Sequence, residues 1–243
     1  MVLAAVAAAV ERFGRLDALV NNAGILVLGA IEDLTDEEIT LGMETNLGAH
    51  IRTAPAVLPH TRAQGGGKIV NVGSSAGKVT GAAGRALLGL ETRSRGDHGG
   101  VVLQVARWGV QVILVQPGEF KTRFHNKNRI LRQTLKDDTS LYQEPAMAGA
   151  QNMIDRAGTR PGPRTLASTV ADIIELEQPL PIRWPVGYDT HRTLPLRERL
   201  TDAQWEELRL RATSTPSSAA GIFERSGRRF ALGGTATSGL GAG

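Results

Sequence analysis

The segment VQVILVQPG, residues 110–118, constrains the fold more than any other. Its first seven residues are dominated by β-branched and aliphatic side chains, and it ends on a Pro-Gly pair. A strand with one wetted face alternates apolar and polar residues. A strand without that alternation needs cover on both faces, which a parallel sheet flanked by helices provides. Two further apolar runs follow the same grammar. LDALVNN (16–22) stops at Asn-Ala-Gly, and KIVNV (68–72) stops at Gly-Ser-Ser. The segments around them have helical period. Val2, Val6, Val10 and Phe13 form one stripe ended by Gly14, and Thr35 with Glu38 forms a capping box that opens a helix to about His60. Strands alternating with helices of this length predict βαβ units in a doubly wound parallel α/β fold.

Further along, the pattern predicts a helix around 165–178, a strand at IRWPV (182–186) and a helix at TDAQWEELRLRA (201–212). From Thr213 onward Ser, Gly, Thr, Ala and Pro dominate, so one domain over 1–212 and a disordered tail over 213–243 are expected. The apolar start VLAAVAAAV has no basic residues before it and runs directly into ERFGRLD, which suits an amphipathic helix and not an export signal. No apolar run reaches the 18 or so residues a membrane span needs, so a cytoplasmic protein without a membrane partner is expected. With no cysteine, disulfides and thiolate metal sites are excluded. The formal charge of +4 is scattered apart from Arg225, Arg228 and Arg229, and describes a solvated mixed surface, not a nucleic-acid partner. The five histidines make no metal-ligand spacing.

Polar residues collect where the strands end. Asn21, Asn22, Ala23 and Gly24 follow the first strand, Ser74 and Ser75 the second, and Pro117, Gly118 and Thr122 the third. Ligands of open parallel sheets bind outside these carboxyl ends. Asn46 in METNLGAH lies within a helical stretch, where asparagine is locally unfavourable because its side chain competes for backbone hydrogen bonds.

Taken in order, NNAG, the Asn46 helix, VNVGSSAG, RWGV and QPGEFKT resemble the short-chain dehydrogenase/reductases over roughly residues 1–205. The stretch RWGVQVILVQPGEFKT (107–122) is most similar to the hydroxysteroid- and retinol-dehydrogenase-like branch. The resemblance implies a Rossmann-type sheet, NAD or NADP as cofactor, and a small alcohol or ketone substrate of apolar character. It also implies roles. Ser74 would hydrogen-bond the substrate carbonyl, and Asn46 would support a water-mediated proton relay. Asn21, Asn22, Ala23, Gly24, Pro117, Gly118 and Thr122 would contact or support the cofactor. Residues from about 123 to 160 would form the substrate loop. Relatives often dimerise through helices flanking the active site, so a homo-oligomer is a further expectation.

Two departures stand out. Counting from Ser74, the family's spacing places its tyrosine acid at 87 and its lysine at 91, where this chain has Leu87 and Glu91. Leucine has no proton to give, and a carboxylate would raise a neighbouring phenol's pKa instead of lowering it. Codons can be chosen for LLGLETRSRGDHG that, read one nucleotide later, spell YWGSKHAVEAIT. That peptide has the tyrosine, the lysine four residues on, and an apolar stripe of helical period. Residues 87 to about 99 therefore read as a frame-shifted active-site helix, or else as a diverged pseudoenzyme. Second, no G-x-x-x-G-x-G turn for a pyrophosphate precedes residue 14. The first βαβ portion is expected to be missing, with Met1 a false start or the chain a fragment, and LDALVNN left as an exposed apolar edge. Sequencing the coding DNA across codons 87–99 should reveal two compensating length errors; an uninterrupted read of the same codons would refute the frame shift.

Overall fold

The computed structural model describes residues 2–79, 102–125, 129–131, 139–143, 160–177 and 179–213. The stretch 87–99 and the tail from 214 therefore lie outside the described residues, as do most of the expected substrate loop and the start of the chain at Met1. Four strands make the main sheet: β1 (Ala18–Asn21), β3 (Gly67–Val72), β4 (Val110–Pro117) and β6 (Arg183–Val186). They lie in the order β1-β3-β4-β6, and every neighbouring pair is parallel. A small second sheet pairs β2 (Leu26–Leu28) with β5 (Arg129–Leu131), also in parallel.

The unbroken apolar run of β4 is explained by cover on both faces. Val110 and Val112 point to one side, where they pack with Ile69 of β3, Val6 of helix α1 (Val2–Phe13), and Ala56 and Val57 of a later helix, α3 (Ala49–Ala63). Ile113 and Val115 point to the other, against Val70, Phe120, Val186 and Ile173 of helix α4 (Pro163–Glu175). Alternate residues of one strand thus feed two separate cores, as the period-two geometry of a strand requires. Trp108 packs against the first core and Trp184 against the second.

Helix α1 ends at Gly14, which has φ of 76° and returns its N–H to Val10. Of the stripe read along it, only Val6 is buried, while Val2 and Phe13 are exposed. The long helix expected from Thr35 to about His60 is present and continues to Ala63, with a π-type turn within it. Helix α2 (Asp36–Met43) begins at the Thr35–Glu38 capping box, with both reciprocal hydrogen bonds present, and a wide π-type turn over Glu44–Gly48 separates it from α3. The π-type turn carries Asn46, whose side chain turns to Ile25, the residue just before β2. Helices α5 (Tyr188–Arg199) and α6 (Asp202–Thr213) close the described chain, with Trp205 held between the guanidinium groups of Arg197 and Arg209.

Beneath the sheet, Gly65, Gly66 and Gly109 let two chain segments touch: a Cβ on Gly109, where φ is 71°, would stand 2.5 Å from the Gly65 carbonyl oxygen. Among the described strands β1 forms one border of the sheet, and Val20 is 39% exposed there, in keeping with an apolar edge. Replacing Thr35→Ala removes a side-chain acceptor from the first turn of α2 and should cost about 1 kcal/mol in urea unfolding, with an unchanged slope.

Candidate active site

Register brings the singled-out residues together. Asn21 pairs with Asn71, Val72 with Val115, and Pro117 with Val186. The loops that leave β1, β3 and β4 therefore rise from one edge of the sheet, spaced about 5 Å strand to strand. The distance from the first loop to the third is set by two such steps. The β2–β5 pair is formed by residues just after the first and third of these loops, and so stands on the same side.

The first loop is anchored from below and from the side. Asn21 is buried and donates to the Asn71 Oδ1 at 2.7 Å, while its own Oδ1 accepts from the Thr53 hydroxyl of α3 at 3.1 Å. Asn46 reaches Ile25: its Oδ1 accepts the Ile25 N–H at 2.9 Å, and its Nδ2 donates to the Ile25 carbonyl at 3.0 Å. Both amide atoms are thus engaged in the manner of a strand neighbour, and they hold the chain between Gly24 and β2. A Cβ on Gly24 would lie 3.5 Å from Asn46 Oδ1 and 3.7 Å from the Phe124 ring, so the first loop, the π-type turn and the third loop meet at this glycine. Asn22 and Ala23, between these anchors, are exposed.

Ser74 caps a short turn over Ser75–Gly77 by accepting the Ala76 N–H at 3.0 Å. A hydroxyl that accepts one bond still has its proton to donate, so Ser74 retains a donor for a carbonyl oxygen. Thr122 is arranged in the same way: its hydroxyl accepts the Phe124 N–H at 3.2 Å and keeps its own proton. Gly73, in place of a larger residue, lets the chain lie against Leu114, whose Cδ1 would stand 2.8 Å from an added Cβ. The Pro117-Gly118 turn is fixed by a bond from the Gly118 N–H to the Val186 carbonyl at 2.9 Å.

Several residues of this arrangement were not among those the sequence singled out. Asn71 had a visible signal, a polar residue inside an apolar strand. Thr53 and Asp189 had none. Asp189, at the start of α5, accepts the Glu119 N–H at 2.8 Å and lies directly against Gly118.

With this geometry in place, comparison with known proteins decides the family. Residues 1–132, more than half of the chain, match the family model described as short chain dehydrogenase. The chain belongs to the short chain dehydrogenase family. Among its relatives, a 3-ketodihydrosphingosine reductase of Bacteroides thetaiotaomicron is 31% identical over 178 residues, which is 72% of this chain and 64% of that protein. The oxidoreductase YusZ of Bacillus subtilis is 26% identical over 201 residues, covering 82% of this chain and 71% of the relative. A short-chain dehydrogenase from Streptomyces avermitilis superposes with a TM-score of 0.67 at 26% identity, over 88% of this chain and 77% of that one. The chain therefore spans slightly less than two thirds of the length of the reductase. Family membership agrees with the parallel sheet and with the order of motifs along it. Among the described residues, no helix is long and apolar enough to cross a membrane.

Asn46→Ala removes two hydrogen bonds at once and leaves the Ile25 backbone groups to find other partners. It should destabilise the chain by about 1–3 kcal/mol, read by chemical denaturation, while Thr122→Val at the rim should stay within about 0.5 kcal/mol of the parent.

Proposed function

We propose that this chain carries the site of an NAD- or NADP-linked oxidoreductase that interconverts an alcohol and a ketone, with its proton-donating position impaired. The observation that carries the reading is the pair of hydroxyls, Ser74 and Thr122, on loops from neighbouring strand ends. Each accepts one backbone bond and each has a proton left for a ligand. The family, and the similarity to the 3-ketodihydrosphingosine reductase, support a ketone as substrate class, and the motifs around the Pro-Gly turn support a nicotinamide. The donor set fits the nicotinamide end of such a cofactor: a Pro-Gly turn at a strand end with a threonine hydroxyl four residues beyond its glycine, and the exposed Asn22 and Ala23 after a strand of the same sheet. When bound, the cofactor supplies or accepts the hydride. The chain's own residues do the rest. Asn22, Ala23 and Gly24 border the crevice, with Asn21 and Asn46 holding that border in place. Pro117, Gly118 and Thr122 orient the ring end, and Ser74 donates to the substrate oxygen.

Proton delivery is the weak link. Leu87 and Glu91 stand where the family's acid and its lysine would be, and loss of a positioned general acid costs about 10²–10⁴-fold in rate. That sequence fact favours a second reading, a ligand-binding protein on the same scaffold that performs no chemistry. Both readings take a small molecule, and neither calls for a nucleic acid.

Two proteins separate these readings: the chain as it stands, and one in which residues 87–98 are replaced by YWGSKHAVEAIT. Cofactor binding is followed by thermal shift with NAD(H) and NADP(H), and turnover by NAD(P)H oxidation with a panel of ketones. The oxidoreductase reading expects binding by both proteins and a rise of about 100-fold or more in turnover on replacement. Binding by both with turnover by neither would favour the ligand-binding role, and binding by neither would remove the nicotinamide reading altogether.

A further inference from the structure

The Pro117-Gly118 turn is held less by its own strand than by residues far along the chain. Beyond Gly118, the Glu119 N–H is taken by the Asp189 carboxylate at 2.8 Å. The Glu119 carboxylate in turn receives Arg160 Nε at 3.1 Å, and the Arg160 side chain is only 7% exposed. The Lys121 N–H then donates to the Pro161 carbonyl at 2.9 Å. These ties fasten four residues of loop to the segment entering α4 on one side and to the start of α5 on the other.

Of these ties, the one through Asp189 reaches the turn itself. A Cβ on Gly118 would fall 1.9 Å from Asp189 Oδ1, a distance that admits no side chain at 118 while the carboxylate is in place. Gly187, with φ of 114°, turns the chain so that Asp189 arrives there; a Cβ on it would stand 2.9 Å from the same oxygen. Asp189 also sits in the first turn of α5, where the free N–H groups of the helix favour a negative charge. The opposite end of that helix is tied to the loop after Ser74, because Glu198 pairs with Lys78. One helix therefore braces the loops of both β3 and β4.

We propose that Asp189 is a positioning residue for the nicotinamide-facing turn, holding the Gly118–Glu119 peptide in the orientation the ligand meets. It does so as an acceptor for the Glu119 N–H and as a wall against Gly118, and it touches no reacting atom. The proposal rests on the oxidoreductase reading for the identity of the ligand, but not for the placement of the turn. A carboxylate is required only as an acceptor, so Asp189→Asn, which keeps one oxygen, should preserve the arrangement, and Asp189→Ala should release it.

The test uses the full chain and two readouts. Hydrogen exchange at the Glu119 amide reports on the turn with no ligand present. The dissociation constant for NADH and NADPH reports on what the turn does. In Asp189→Ala, Glu119 exchange should accelerate and the cofactor Kd should rise about tenfold, the loss expected for one hydrogen bond to a charged group. In Asp189→Asn both should remain within about threefold of the parent. A general loss of structure would speed exchange throughout the sheet; the proposal requires the change to be confined to the loop from 118 to 122. Unchanged Glu119 exchange in Asp189→Ala overturns the proposal, and so does faster exchange with an unaltered Kd. If the parent chain binds neither cofactor, the oxidoreductase reading fails, and the exchange data alone then decide whether Asp189 places the turn.

Discussion

The parallel ladder from β1 through β3 and β4 to β6 is the constraint on which the rest of the structure depends. Because all four strands run the same way and their ends stay in register, the loops they release emerge from one edge. A shift of one residue in β4 would exchange Val110 and Val112 with Ile113 and Val115 between the two cores, so the apolar packing itself enforces the register. Residues separated by about fifty positions in sequence become neighbours as a result, and Asn21 with Asn71 is the direct case.

Upon that frame, polar side chains do the fine positioning. Thr53, Asn21 and Asn71 form a buried line from α3 across β1 to β3, and Asn46 takes both backbone groups of Ile25. Buried amides of this kind are costly unless paired, and here the partners are backbone groups, another amide and the Thr53 hydroxyl. The consequence is a rim whose exposed members, Asn22 and Ala23, are flanked by fixed ones. Hydroxyls at Ser74 and Thr122 are different, since their accepted bonds are local and their protons stay free. The rim thus combines fixed support with two hydroxyl protons left free of the local bonds, the arrangement the proposed site draws on.

Much of this was legible in the residues. The strands at 18–21, 67–72, 110–117 and 183–186 fall within or beside the apolar runs read from the sequence, and the capping box at Thr35 was visible as a pair of letters. The helix from Thr35 to about His60 was legible as well, but not the π-type turn within it, because hydrophobic period does not register which carbonyl a backbone N–H selects. Phe13 was read as part of an apolar face and is exposed, since helical spacing gives a direction but not the extent of the surface waiting there.

The sequence by itself determined where the four strands of the main sheet and most of the helices lie, though not β2, β5 or α5, and that the central strand must be covered on both faces. It could do so because those properties depend on side chains within a few positions of one another. It also carried Leu87 and Glu91, the residues found where the family's spacing counted from Ser74 would put its acid and lysine. Only the tertiary structure decided that Asn46 would spend both amide atoms on Ile25, that Thr53 would complete the asparagine line, and that Asp189 would close on Gly118. Those outcomes join residues 21, 32 and 70 or so positions apart. No local pattern encodes such partners, because the free energy that selects them exists only once the sheet has brought them within reach.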